Sequence, residues 1–210
     1  MVHYALLRTV LDPLLAVAGP RGLARLEFLP NAWEYHTRAH ALARMLFNPD
    51  TAMAATSGTS DLGLPPDPAL NGDGTELSWE IHEEPAAFED LRDQLAEYFT
   101  GRRELFDLPI DLRGTSFQVR VWQQLLQIPY GKLRTYGQVA QALRQPKATR
   151  AVGQAAGQNP LPILVPCHRV VGKGGSLVGF TGGLTTKARL LRLEGHTLGS
   201  TARIEEPRLF

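Results

Sequence analysis

Pro160-Leu161-Pro162-Ile163-Leu164-Val165-Pro166-Cys167-His168-Arg169-Val170-Val171 holds the only cysteine of the 210-residue chain. Its three prolines remove backbone donors and fix φ, so this segment cannot continue a helix. Ile163, Leu164 and Val165 form a short apolar run that reads as a buried extended segment. Pro166 then sets the approach to a thiol and an imidazole that are neighbours in the chain. A lone cysteine is most often a small, inert hydrophobe. Adjacent side chains also diverge on a strand or a helix, so a direct Cys167–His168 hydrogen bond is not implied and a bridging water is an equal alternative. Stiffening of this kind nevertheless suits a nucleophile that must meet one atom of a substrate. The surroundings decide between the two readings.

Upstream, Gly114-Thr115-Ser116 offers an N-cap, and Phe117, Val119, Val121, Trp122 and Leu125 give the helix that follows a buried face. Ile128-Pro129-Tyr130-Gly131 stops that helix and turns the chain. Thr135 caps a helix carrying Val139, Ala140 and Leu143. Gln145-Pro146-Lys147 breaks it, and another helix starts at about Ala148, which suggests a helix-turn-helix. This second helix, Ala148-Thr149-Arg150-Ala151-Val152-Gly153-Gln154-Ala155-Ala156-Gly157, is built almost entirely of small residues. Two glycines cost it about 1 kcal/mol each relative to Ala. Close packing on a neighbour and deep entry into a nucleic-acid groove explain the pattern equally well on this helix alone. Downstream come the glycine-rich Gly172–Ser176 and Val178–Gly183 stretches, which match no phosphate-loop pattern and suit the wall of a flat pocket. Thr185 or Thr186 is expected to cap a last helix, Lys187–Leu193. Glu194 follows it, either as a surface carboxylate or as a partner that orients His168.

Residues 1–108 read as a small α/β domain, with strands at Tyr4–Val10, Leu14–Val17, Leu23–Phe28 and Leu77–His82. Helices are expected at Ala32–Phe47 and from Pro85 to about Thr100, the second with a core stripe of Phe88, Leu91, Leu95, Tyr98 and Phe99. His36 and His40 could share a face, but without a third ligand a metal site is not expected. Residues 48–75, rich in Gly, Pro, Asp, Ser and Thr, read as a long surface loop. Residues 109–210 form the second domain, whose tail from His196 carries no signal.

Composition supports an ordinary globular chain, 43% hydrophobic and 20% charged. One cysteine excludes an internal disulfide framework and a multi-cysteine zinc site, and suits a reducing compartment. No apolar run reaches membrane-spanning length and Met1-Val2-His3-Tyr4 does not start a signal peptide, so a soluble cytoplasmic protein is expected. The net charge of +1 hides an asymmetry. From Arg113 to Gly195 twelve basic residues face a single acid, a net +11, which leaves −10 for the remainder. Such a basic half points to an anionic partner, nucleic acid first, and tips the reading of the small-residue helix toward a groove binder.

Pro166-Cys167-His168-Arg169-Val170 downstream of Asn159-Pro160, together with Ile128-Pro129-Tyr130-Gly131, Arg150-Ala151-Val152-Gly153, Gly182-Gly183 and Leu193-Glu194-Gly195, resembles the O6-alkylguanine-DNA alkyltransferase (methylated-DNA–protein-cysteine methyltransferase) family. The resemblance is dense from Thr115 to Gly195. It implies a two-domain α/β fold: an N-terminal ribonuclease-H-like domain and a mostly helical C-terminal winged-helix or helix-turn-helix domain carrying the reactive cysteine. It further implies DNA repair by single-turnover transfer of an alkyl group from O6-alkylguanine, and from O4-alkylthymine, in double-stranded DNA to Cys167, with no cofactor and no metal. By the same resemblance His168 deprotonates the thiol through a water, Glu194 holds the imidazole, Asn159 orders the turn, and Tyr136 hydrogen-bonds the flipped guanine. Arg150 fills the gap in the duplex, and Thr149, Ala151, Gly153, Gln154 and Ala156 share its minor-groove surface. Val165, Pro166, Val178, Gly179, Phe180 and Thr181 line the guanine pocket. A monomer is expected, located in the cytoplasm, or in the nucleus if the source is eukaryotic. Phe180 lacks a hydroxyl where some relatives have Tyr, and the cysteine-bound structural zinc of some relatives is expected to be absent. The rival readings are a non-catalytic lesion-recognition or regulatory DNA-binding protein and, far behind, a cysteine hydrolase.

Overall fold

The structure is a computed structural model and describes residues 1–29, 32–47, 80–199, 203–204 and 209–210. The N-terminal half builds a sheet of order β3-β2-β1-β4 from β1 (Val2–Leu7), β2 (Leu14–Gly19), β3 (Gly22–Phe28) and β4 (Ile81–Glu83). The first three strands pair antiparallel, and β4 joins β1 in parallel. β1 ends at Leu7 rather than at the expected Val10. The Thr9 hydroxyl, which donates to Asp12 O at 2.7 Å and accepts from Leu11 N at 3.2 Å, replaces the ladder with a turn. Of the expected strand Leu77–His82, residues 77–79 lie outside the described residues, as does the whole expected loop 48–75.

Both faces of this sheet are covered, because alternate residues along a strand point to opposite sides. Leu15 and Val17 of β2 pack with Ala39, Leu42, Ala43 and Phe47 of α1 (Tyr35–Phe47). Leu14 and Ala16 enter a larger core shared with the C-terminal half. That core also takes Leu91, Leu95 and Tyr98 from α2 (Glu89–Phe99).

In the C-terminal half, Thr115 and Gln118 close a reciprocal capping box on α3 (Ser116–Leu126). Thr135 and Gln138 repeat it on α4 (Tyr136–Ala142), directly after the two-residue strand β5 (Arg134–Thr135). A 3₁₀ turn at Pro146–Ala148 leads into α5 (Thr149–Gly157), which is locked to α3 by Trp122 Nε1 donating to Ala155 O at 2.8 Å. β6 (Val170–Val171) pairs in parallel with β5 and so brings the cysteine segment beside the start of α4. The last helix, α6, spans Gly183–Leu193, four residues longer at its start than expected. Neither Thr185 nor Thr186 caps it: the chain turns in at Gly183, at φ +82°, and Thr186 lies buried inside the helix with its hydroxyl 3.4 Å from Asp12 Oδ2. The two halves also share backbone bonds, Leu23 N to Pro109 O at 2.9 Å and Leu26 N to Pro160 O at 2.8 Å.

Candidate active site

The apolar run before the cysteine is not extended. Val165 N donates to Leu161 O at 2.8 Å, Pro162 and Val165 bridge, and Ile163 stands at φ +78°. The prolines and a backbone donor from β3 force a tight turn where periodicity suggested a strand. A β-branched residue in the left-handed region costs on the order of 1–3 kcal/mol and needs surroundings that hold it there. Asn159 supplies them. Its amide nitrogen donates to Val165 O at 2.7 Å and to Cys167 Sγ at 3.0 Å, and its oxygen accepts from Leu161 N at 3.0 Å. Cys167 opens a 3₁₀ turn through Arg169.

Four polar side chains close to the thiol are buried: Asn159, His168, Arg169 and Glu194. His168 Nε2 lies 2.9 Å from Glu194 Oε1, while among the described residues His168 Nδ1 has no hydrogen-bond partner. Arg169 clamps the same carboxylate, with Nη2 at 2.9 Å from Oε1 and Nε at 3.0 Å from Oε2, and its Nη1 donates to Ile128 O at 2.6 Å. Gly131 N donates to Glu194 Oε2 at 3.1 Å. The Ile128–Gly131 turn therefore feeds both members of the ion pair. Burial alone would raise the Glu194 carboxyl, but the hydrogen bond from His168 and the charge and hydrogen bonds of Arg169 outweigh it and hold the group well below the usual carboxylate range. His168 is pushed down by burial against the pull of Glu194. A neutral ring that donates from Nε2 to Glu194 leaves a lone pair on Nδ1, the arrangement of a base. Burial raises the Cys167 thiol, opposed by Asn159 and Lys187, so the sulfur rests protonated.

On the far side, Tyr136 at the start of α4 donates to Val178 O at 3.1 Å, and burial and Cys167 push its phenol up to about 12, which keeps it a donor. Lys187 is fully buried and donates to Val170 O at 2.6 Å, Val178 O at 2.8 Å and Gly179 O at 3.3 Å. Burial lowers it to about 8, with Cys167 pulling the other way. Thr181 Oγ1 bonds Gly157 O at 2.9 Å, and Phe180 packs on Phe28 of β3. Val165 and Pro166 are buried beside the thiol, and Val178, Gly179 and Thr181 form an exposed lip.

Thr149, Arg150, Ala151 and Gln154 stand on the exposed side of α5, with Gly153 half-buried against Tyr136. Ala156 does not join them. Four residues after Val152, it shares the buried face with Val152 and Ala155 and belongs to the core. Sequence reasoning overlooked Arg169, Lys187 and Tyr98, whose hydroxyl donates to Glu194 Oε1 at 2.7 Å. Lys187 had a signal: it precedes Leu190 and Leu191 by three and four residues and so falls on the apolar face of α6. Among the described residues no cluster of three or more His, Cys, Asp or Glu could hold a metal ion, and no helix is long and apolar enough to cross a membrane.

Two family models match almost the whole chain: the ribonuclease-like domain of 6-O-methylguanine DNA methyltransferase over residues 2–112, and its DNA binding domain over residues 116–196. A methylated-DNA–protein-cysteine methyltransferase of Mycobacterium bovis is 53% identical over 111 residues, covering 53% of this chain and 67% of that protein. The crystal structure of an O6-methylguanine methyltransferase of Mycobacterium tuberculosis is 36% identical, covering 92% of this chain and 93% of that one with a TM-score of 0.66. A structure of the Mycobacterium tuberculosis OGT in complex with DNA is 37% identical, covering 91% and 92% with a TM-score of 0.65. With a sheet-rich first half, a helical second half and a cysteine held beside a buried His–Glu pair, the chain belongs to the 6-O-methylguanine DNA methyltransferase family.

Proposed function

We infer that this chain repairs DNA by taking the alkyl group from O6-alkylguanine in a duplex and keeping it on Cys167. The observation that carries this reading is the Cys167 thiol, gripped by Asn159 at the foot of α5 and next to a buried His168–Glu194 pair. The alkylated oxygen lies inside the base stack, so the nucleotide must be swung out into the protein, at a cost of a few kcal/mol. The exposed side of α5, with Arg150 near its start, is the surface that meets the minor groove, and Arg150 fills the space the base leaves. The net +11 of residues 113–195 provides the attraction to phosphate. A relative in this family has been solved in complex with DNA, which supports a DNA partner.

Chemically, His168 Nδ1 takes the thiol proton through a water, and Glu194 and Arg169 keep the ring in the orientation that permits it. The thiolate attacks the alkyl carbon. A carbon–sulfur bond forms as the carbon–oxygen bond breaks, and the electron pair leaves on guanine. Tyr136 is a phenol with a proton to donate, so it stabilises the departing base once its hydroxyl releases Val178 O. Lys187 places a buried cation near the sulfur and shortens the energetic distance to the thiolate. The thioether has no route back, so each molecule acts once, as a monomer on its lesion. Guanine adducts are the main substrate and O4-alkylthymine a secondary one.

A single-turnover incubation with an O6-methylguanine duplex tests this. Intact-protein mass should rise by about 14 Da, one methyl replacing one hydrogen, with the increment on Cys167 and a plateau at one equivalent. An unchanged mass under excess lesion, or turnover beyond one equivalent, refutes it. The first outcome would favour non-catalytic lesion recognition.

A further inference from the structure

Tyr98 lies on α2, in the N-terminal half, yet its hydroxyl reaches the carboxylate that serves His168. It donates to Glu194 Oε1 at 2.7 Å and stands 3.5 Å from His168 Nε2. Its ring packs edge-on against Phe99 and Tyr130 and tilted against Phe106, and the residue is fully buried. A Phe would fill that space equally well. The hydroxyl therefore answers to Glu194, because a buried hydroxyl is costly unless it is paired. Among the described residues Tyr98 is the only side chain from the N-terminal half that bonds Glu194.

We infer that Tyr98 is a positioning residue of the alkyl-transfer site, through which the N-terminal domain fixes the Glu194 carboxylate and tempers its pull on His168, keeping the imidazole a neutral base. The donors on Glu194 Oε1 are Tyr98 Oη, His168 Nε2 and the Arg169 guanidinium. Each takes part of the charge on that oxygen. With the phenol removed, more negative potential falls on the ring, which then holds a proton at higher pH and loses its basic lone pair there. Other ionisable groups around the ring are Arg169 and Cys167 from its own turn and Lys187 from α6, and Tyr130 faces Tyr98 and Glu194 from the turn after α3. None of these is altered by a change confined to the Tyr98 hydroxyl. The inference rests on Cys167 being the alkyl acceptor.

The test follows methyl transfer from an O6-methylguanine duplex to the full-length chain between about pH 5 and about pH 9, with His168 titration read by NMR. Three proteins are compared: the natural chain, Tyr98→Phe, and a chain with difluorotyrosine at position 98, whose hydroxyl is a stronger donor of nearly unchanged size. Tyr98→Phe should move the acid limb of the rate profile and the His168 titration up by about half a pH unit or more, while the plateau stays within about threefold. Difluorotyrosine should move both downward. Profiles that superimpose on the natural one, or a rate lowered equally at every pH, overturn the inference. Should Tyr98→Phe fail to fold, the fluorinated chain decides by the same criterion. A natural chain that transfers nothing would sink the proposed function itself, a result distinct from unshifted profiles in a chain that does transfer.

Discussion

Replacing Asn159 by Ala removes three buried hydrogen bonds at once, to Val165 O, Cys167 Sγ and Leu161 N. Val165 O keeps a partner, because Cys167 N also donates to it at 2.8 Å. Leu161 N does not, and an orphaned buried donor costs about 1–3 kcal/mol. With about 1 kcal/mol for each of the other two bonds, the expected destabilisation is about 3–5 kcal/mol. At about 2–4 °C per kcal/mol for a chain of this size, the melting temperature should fall by on the order of 10 °C. Transfer should suffer separately. The sulfur loses the Asn159 donor, and a hydrogen bond to a charged group is worth about 1.5–3 kcal/mol. At about 1.4 kcal/mol per tenfold, single-turnover methyl transfer should slow by roughly 10- to 100-fold even well below the new melting temperature. Thermal unfolding and adduct mass against time measure the two effects independently. A variant that melts within about 2 °C of the natural chain and transfers within about twofold of its rate would refute the claim that Asn159 holds the strained turn and presents the thiol.

Lys187→Met keeps the volume but removes the cation beside the sulfur, so iodoacetamide labelling of Cys167 should titrate at higher pH than in the natural chain; an unmoved titration removes Lys187 from the electrostatics of the thiol. Stability should also fall in acid, for two reasons with the same sign. The buried ring of His168 refuses a proton that the unfolded chain accepts below about 6.5, and Glu194, held low in the fold, contributes fully above about 4.5 and loses its contribution as pH falls toward the folded value. Urea midpoints should therefore decline gently below about pH 6.5 and more steeply below about 4.5, and a midpoint constant from neutral to pH 4 would contradict both assignments.

What the sequence yields and what it withholds follow one physical division. Helices α3 and α4 are legible because their caps and apolar faces are local: Thr115 with Gln118 and Thr135 with Gln138 are three residues apart, and each box satisfies backbone donors within a single turn. The cysteine segment is legible as rigid but not as a turn, since its shape depends on Asn159 and on a backbone donor from β3 that no short window contains. The beginning of α6 escapes a local reading for a related reason. Threonines near a helix start look like caps, whereas Thr186 is drawn inward to Asp12 from the other half of the chain. The same division explains which site residues stay hidden. Cys167, His168 and Asn159 lie within nine residues of one another, but Tyr98 stands 96 residues from the carboxylate it serves. On its own helix that tyrosine is one more member of a core stripe, with Leu91 and Leu95 on the same buried face. Periodicity reports only that a side chain faces inward. A buried hydroxyl obliges a partner as firmly as buried carbon obliges a packed neighbour, so the members of such a stripe that point to a distant site are those that bring a polar atom into the core. Lys187 and Tyr98 are both of that kind, and both end on the chemistry around the same sulfur.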